Sequence, residues 1–261
     1  MLSHIRTEVR DGVGVITIDR RERFNSLDAE TARDLRKAGL QLARDAGVRA
    51  AILRGEGGVF CSGADLKEIR AAKSFGDGFK EILEYIHSTI SEIRRAPKPF
   101  IAAVDGIAAA GGFGLAMSCD LVVASERAVF EWAYAKTGLT GAESSTFFLP
   151  RLVGIRRAME MLFLNPRLGA VQAMEYGFVT MIYPTETFDE DVFALAQRLA
   201  KGPTEALGIA KGLINDAALM DRLDLHLDRE LDHLARIAGG DNFAEGIAAF
   251  FEKRVPEFGV K

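Results

Sequence analysis

Across 261 residues the chain holds only two cysteines, Cys61 and Cys119, and neither belongs to a C-x-x-C pair. That excludes a disulfide framework and a thiolate zinc site, and it points to a reducing, cytoplasmic setting. The four histidines, His4, His87, His226 and His233, form no cluster in sequence, so no metal is expected. No run of 18 apolar residues occurs, and the first 20 residues lack a signal peptide's apolar core. Neither a membrane span nor secretion is expected. The net charge of −4 is too weak and of the wrong sign for a nucleic-acid surface. Gly-Lys-Ser/Thr and a properly spaced G-x-G-x-x-G are both missing, which removes the common phosphate and dinucleotide loops. No repeat of fixed period is visible.

What is present is strand, loop and helix in alternation. Residues 5–10 and 13–18 read as a hairpin about Asp11-Gly12. Asn25 or Ser26 could cap a helix running to about Ala46. Residues 50–54 read as a buried strand. After the loop at 55–64, Asp65 reads as a helix N-cap. Residues 79–95 carry apolar side chains at helical spacing, with His87 as a packing residue, and Pro97 ends that helix. Residues 100–104 and 121–124 read as further strands. This order favours an α/β architecture with parallel pairing. From 205 to about 237 the pattern is helical, with Leu219, Leu223, Leu225, Leu227, Leu231 and Leu234 on apolar faces. Gly239-Gly240 interrupts, and 243–254 makes a last helix. The division expected is a core at 1–200 and a helical region at 201–261.

Two turns are alike. Ile52 leads to Cys61-Ser62-Gly63-Ala64-Asp65, and Ile101 leads to Ala110-Gly111-Gly112 before the buried segment at 115–117. A strand feeding a small-residue turn at a helix start leaves backbone N–H groups free for negative charge. Two such turns side by side could hold one oxygen as an oxyanion hole. The alternative is close helix packing by small residues.

FCSGADLKE at 60–68 and AAVDGIAAAGGFGLAMSCDLVVAS at 102–125 resemble the two signature stretches of the crotonase (enoyl-CoA hydratase/isomerase) superfamily. RRERFNSL at 20–27 is similar to the family's Arg-Pro-x-x-x-Asn-Ser/Ala-Leu segment, with Arg21 in place of the proline. LPRLVGIRRAMEMLF at 149–163, AMEYGFVTMIYP at 173–184 and EGIAAFFEKRVPEF at 245–258 resemble its later segments. The likeness covers essentially the whole chain.

The resemblance implies a spiral of ββα units and a C-terminal helical region that builds a trimer or a dimer of trimers. It implies an acyl-CoA substrate and no cofactor beyond the coenzyme A moiety of that substrate. By position, the N–H groups of Ala64 and Gly111 would hold the thioester oxygen. Arg23, Phe24, Ser62, Asp65 and Leu66 would line the coenzyme A site, and Phe250 and Lys253 would help close it. Family hydratases use two glutamates; Gly114 and Tyr134 stand at those positions here. Addition of water by that route is therefore not expected, and double-bond isomerisation, which one base can serve, is favoured. Several isomerases carry their base in the loop corresponding to 136–154. Its position falls on Ala142, with Glu143 next, so Glu143 is the candidate base. The alternative for Glu143 is a solvent-facing carboxylate at a helix start, where the dipole would favour its ionised form. Glu131 is a second candidate carboxylate, inward or outward. Tyr134 would donate a hydrogen bond or form pocket wall. Phe75, Phe79, Trp132 and Tyr134 hint at a cyclic or aromatic acyl group. The competing class of function is a non-catalytic acyl-CoA-binding protein of the same fold.

Overall fold

A computed structural model describes residues 3–218 and 220–258; Leu219 therefore lies outside the described residues. The hairpin forms as read: β1 (Ile5–Arg10) pairs antiparallel with β2 (Val13–Ile18). Every residue of β2 is buried, as suits a strand covered on both faces. Helix α1 (Ala29–Arg44) starts later than Asn25 or Ser26 would place it, because Asp28 is the cap, accepting from the Thr31 N–H at 2.7 Å. Asn25 instead takes a left-handed conformation, φ 52°, and is consumed by its own turn. Its side chain accepts from the Arg20 N–H and donates to the carbonyls of Glu56 and Val59.

Then follow β3 (Ala50–Gly55), α2 (Leu66–Ala71), α3 (Phe75–Arg95), β4 (Phe100–Val104), β5 (Ile107–Ala109) and α4 (Gly111–Ser118). Asp65 caps α2, accepting from the Lys67 N–H. Next come β6 (Leu121–Ser125), β7 (Val129–Glu131), α5 (Ser145–Val153), α6 (Ile155–Leu164), β8 (Leu168–Gly169), α7 (Ala170–Tyr176) and β9 (Met181–Tyr183). The chain closes with α8 (Phe188–Ala200), α9 (Thr204–Ala217), α10 (Leu223–Ala238) and α11 (Asp241–Glu252).

A six-stranded sheet runs β1-β2-β3-β4-β6-β9, parallel from β2 onward, and a three-stranded sheet runs β5-β7-β8. Strands β4 and β6 lie in the large sheet, and the strands that follow them, β5 and β7, in the small one. The segment after β3 copies this: Cys61 bridges in parallel to Ala108 beside the small sheet, and α2 follows. Leu27, before α1, bridges in the same sense to Ala64. These are successive turns of one spiral. The starts of β2, β3, β4 and β6 are unevenly spaced in sequence, so no fixed period could reveal the repeat.

Between α1, α3 and the sheet lies the main core, which includes Leu35, Leu42, Ile82, Ile86, Phe100 and Phe113. Helix α10 packs along α3, and its Leu223, Leu227 and Leu234 are buried in that same core. Leu223, Leu227 and Leu234 are thus spent within one chain, whereas Leu225, expected on the same apolar face, is 54 % exposed. Gly76 permits this closeness, since a Cβ there would stand 2.7 Å from the Ala235 carbonyl oxygen. Exposed apolar side chains concentrate elsewhere: Ile155, Met159 and Phe163 on α6, Val171 on α7, and Ile209, Leu213 and Ile214 on α9. No described helix is long and apolar enough to cross a membrane.

Candidate active site

The two small-residue turns meet. Ala109 donates its N–H to the Cys61 carbonyl at 3.0 Å, and a Cβ on Gly63 would come within 3.2 Å of the Gly111 nitrogen. Gly63 has φ 94°, a conformation open to glycine at little cost. Ala110 has φ 46°, an unfavourable value for alanine that sets the direction in which α4 begins. Helix α4 starts at Gly111, four residues before the apolar run the sequence suggests. The glycines thus lie inside its first turn. Gly112 is required there, because a Cβ would stand 2.1 Å from the Cys61 carbonyl oxygen. Among the described backbone hydrogen bonds, neither the Ala64 N–H nor the Gly111 N–H donates. Ala64 and Gly111 line one cavity of about 430 Å³.

Glu143 lines the same cavity and is 2 % exposed. A Cβ on Gly111 would stand 2.6 Å from its Oε1, so the carboxylate lies over the start of α4. It is not a solvent-facing helix cap. Its Oε2 accepts from the Tyr134 hydroxyl, whose oxygen also lies 3.0 Å from the Ala142 carbonyl oxygen. The helix dipole does not govern its charge. Burial pushes its pKa up to about 7, the Tyr134 hydrogen bond pulls it down, and the Glu230 carboxylate raises it again. Tyr134 is both donor and wall, and burial beside Glu143 lifts its own phenol well above the usual range.

The cavity is also lined by Arg23, Phe24, Ser62, Asp65, Leu66 and Phe250. Lys253 is not among the lining residues; it ends α11 in a left-handed conformation, φ 56°. Glu131 is a correction too: it is buried but does not line the cavity. Its carboxylate turns to Lys136, Arg167 and Asn165 and holds β7 to the segment before β8. Trp132 and Phe75 are likewise absent from the lining, whereas Phe79 is part of it. Leu139, Leu234 and Phe251 complete its apolar side. Phe251 and Leu234 bring α11 and α10 to the cavity within the same chain. Their pattern in sequence signals only helix.

Arg20 opens the 20–27 segment that resembles the family's, but it carries no role on the sequence alone. It is 8 % exposed and its guanidinium reaches Asp28 at 2.6 Å, Asp65 at 2.7 Å and the Ser26 hydroxyl at 3.0 Å. This cluster locks the 20–28 loop onto the turn that carries Ala64. Burial alone would raise the Asp65 pKa, but hydrogen bonds from Arg20 and the Lys67 N–H hold it below the usual carboxylate range. Its sequence signal was its place as the arginine of the 20–27 segment, which does not show that it is buried or which carboxylates it meets. His87 is buried, and burial lowers its pKa to about 4, so its ring is neutral. Cys61 and Cys119 are buried thiols pushed up to about 12, hence unreactive. No described group of histidine, cysteine and acidic residues has the spacing to hold a metal.

Two unengaged N–H groups beside a buried carboxylate form a site that can stabilise a negative oxygen and exchange a proton next to it. Residues 8–261 match the model of the enoyl-CoA hydratase/isomerase family. The chain is 36% identical over 261 residues to the 1,2-epoxyphenylacetyl-CoA isomerase of Escherichia coli (strain K12), covering 99% of both chains. It is 35% identical over 254 residues to the 4-chlorobenzoyl coenzyme A dehalogenase-2 of an Arthrobacter species, covering 97% of this chain and 92% of that one. A crystal structure of an enoyl-CoA hydratase from Mycobacterium avium subsp. paratuberculosis K-10 superposes with a TM-score of 0.90 at 33% identity and full coverage of both chains. The fold is that of crotonases, and the chain is an enzyme of the enoyl-CoA hydratase/isomerase family.

Proposed function

We propose that the protein moves a double bond in an enoyl-CoA thioester, with Glu143 as the only proton carrier. The N–H groups of Ala64 and Gly111 donate to the thioester oxygen as the substrate enters. Glu143 takes a proton from the carbon next to the thioester, and the electron pair moves into an enolate whose oxygen those N–H groups hold. Glu143 then returns the proton at the γ carbon, and the double bond ends in conjugation with the thioester. No water is consumed and no cofactor is needed beyond the coenzyme A moiety of the substrate. One observation carries the reading: Glu143 is the carboxylate that lines the cavity over Gly111, with its pKa raised to about 7. A base whose pKa lies near the working pH both takes and returns a proton efficiently.

Gly114 and Tyr134 stand where a pair of water-handling glutamates would be, so hydration is disfavoured. The assay is a comparison of two substrates: a 3-enoyl-CoA should become a conjugated 2-enoyl-CoA, while crotonyl-CoA should not be hydrated at a comparable rate. Rapid hydration of crotonyl-CoA overturns the reading. A second reading, attack by Glu143 as a nucleophile, is favoured by the relative named a 4-chlorobenzoyl coenzyme A dehalogenase. Chloride release from 4-chlorobenzoyl-CoA tests it.

Arg23, Phe24, Ser62, Asp65, Leu66 and Phe250 would hold the coenzyme A portion. We also infer self-association as a trimer or a dimer of trimers. Phe163 at 73 % and Ile155 at 70 % exposure are unfavourable in an isolated chain. Light scattering should give a multiple of 28.4 kDa; a monomer persisting at high concentration contradicts it.

A further inference from the structure

We propose that Glu230, on α10, is a positioning residue for Glu143. It holds the left-handed turn that carries the Glu143 carboxylate and sets a second negative charge behind it. The proposal rests on the reading of Glu143 as the base.

Glu143 and Ser144 have φ of 48° and 64°, two consecutive conformations that side chains rarely adopt unless the surroundings enforce them. The Ser144 side chain does not cap α5, although it sits at the cap position. The cap comes from far along the chain. Oε2 of Glu230 accepts from the Ser144 N–H at 2.7 Å. Its Oε1 accepts from the Thr146 N–H at 3.0 Å and from the Thr146 hydroxyl. The Thr146 hydroxyl also meets His226 Nε2 at 2.7 Å. Glu230 is 5 % exposed, so these bonds form away from water. A carboxylate on α10 thus satisfies the first N–H groups of α5 and fixes the residue next to Glu143.

The second effect is electrostatic. The groups facing Glu143 are Tyr134, Cys61 and Glu230. His226 stands beside Glu230 on α10, and His87 approaches that pair from α3 with Asp228 near. His87 is neutral and Cys61 stays protonated, so Glu230 is the facing charge that opposes ionisation of Glu143. Removing that charge lowers the proton affinity of Glu143.

Glu230→Gln and Glu230→Asp weigh the two effects differently. Gln removes the charge and keeps the length, but its single amide oxygen can accept from Ser144 or from Thr146 and not from both, so the shift of the acid limb is its readout for charge. Asp keeps the charge and is too short to reach both N–H groups. The readouts are kcat, KM and the pH profile of kcat/KM for 3-enoyl-CoA isomerisation, with acyl-CoA affinity by calorimetry. For Glu230→Gln the acid limb should move to lower pH by roughly half a unit or more. For Glu230→Asp the limb should stay in place while kcat falls roughly tenfold to hundredfold, with KM within about threefold of wild type. An unmoved limb in Glu230→Gln overturns the proposal, and so does an unchanged kcat in Glu230→Asp. If Glu230→Gln does not fold, the Asp variant decides alone. Failure of both to fold makes Glu230 a residue of the fold and equally overturns a positioning role. Glu143→Gln is run beside them. Full activity there means the base reading has failed. Its inactivity beside unaltered Glu230 variants means that only the positioning has.

Discussion

Gly114 lies against the main chain of Glu143: a Cβ on Gly114 would stand 2.3 Å from the Glu143 carbonyl oxygen and 3.0 Å from its Cβ. The Ser144 hydroxyl donates to the Gly114 carbonyl at 3.4 Å. The absence of a side chain at 114 and the presence of a carboxylate at 143 are therefore one arrangement. The turn that carries Glu143 occupies the space a glutamate at 114 would need.

Restoring a side chain at 114 should accordingly damage the site. Gly114→Ala should cost roughly 1–3 kcal/mol of stability by overpacking and lower the isomerase rate by shifting Glu143. Gly114→Glu should lose more and gain no hydratase activity. Thermal melts and the two enoyl-CoA assays check this; a Gly114→Glu variant that hydrates crotonyl-CoA would show the space to be available.

Tyr134→Phe removes the hydroxyl that donates to the Glu143 carboxylate. That bond favours the ionised form, so its loss should raise the Glu143 pKa above about 7. The acid limb of kcat/KM should move to higher pH, opposite in direction to Glu230→Gln. Shifts of the same sign in both variants would contradict the assigned roles.

The raised pKa of Glu143 has a consequence for folding. A carboxyl whose folded pKa lies above its unfolded value binds protons more tightly when folded. Its favourable contribution is complete below the unfolded value and is lost as pH rises through the folded one. With the value near 7 against an ordinary 4.5, ionised Glu143 weakens the folded state at alkaline pH on the order of 3 kcal/mol. Glu143→Gln should therefore be more stable than wild type at pH 8.5, with the advantage shrinking toward pH 4.5. Melts across that range decide it, and an advantage independent of pH would contradict the assigned burial.

Much of this was legible in the sequence, because local rules and burial agreed there. The hairpin about Asp11-Gly12, the Asp65 cap, the α3 stripe and the adjacent turns at 61–65 and 110–112 follow from period, cap chemistry and glycine. What was not legible depends on long-range contacts. Asn25 and Ser26 have good cap chemistry, but Asn25 is taken up by carbonyls more than thirty residues away, and Asp28 caps instead. Glu131 and Glu143 are both acidic residues among apolar neighbours. The first meets Lys136, Arg167 and Asn165, and the second meets a cavity; nothing in their local pattern separates them. The dipole argument for Glu143 failed for a related reason. An N-terminal carboxylate on a solvated helix is favoured when ionised, but at 2 % exposure the loss of water outweighs the dipole.

The most direct test of the account is the turnover of a 3-enoyl-CoA by Glu143→Gln, followed by the ultraviolet absorbance of the conjugated product. Gln keeps the size of the side chain and its capacity to accept from Tyr134 but cannot carry the proton. The account predicts a loss of roughly 10²–10⁴-fold in kcat with acyl-CoA affinity retained. Isomerisation at the wild-type rate would contradict it and place the base elsewhere.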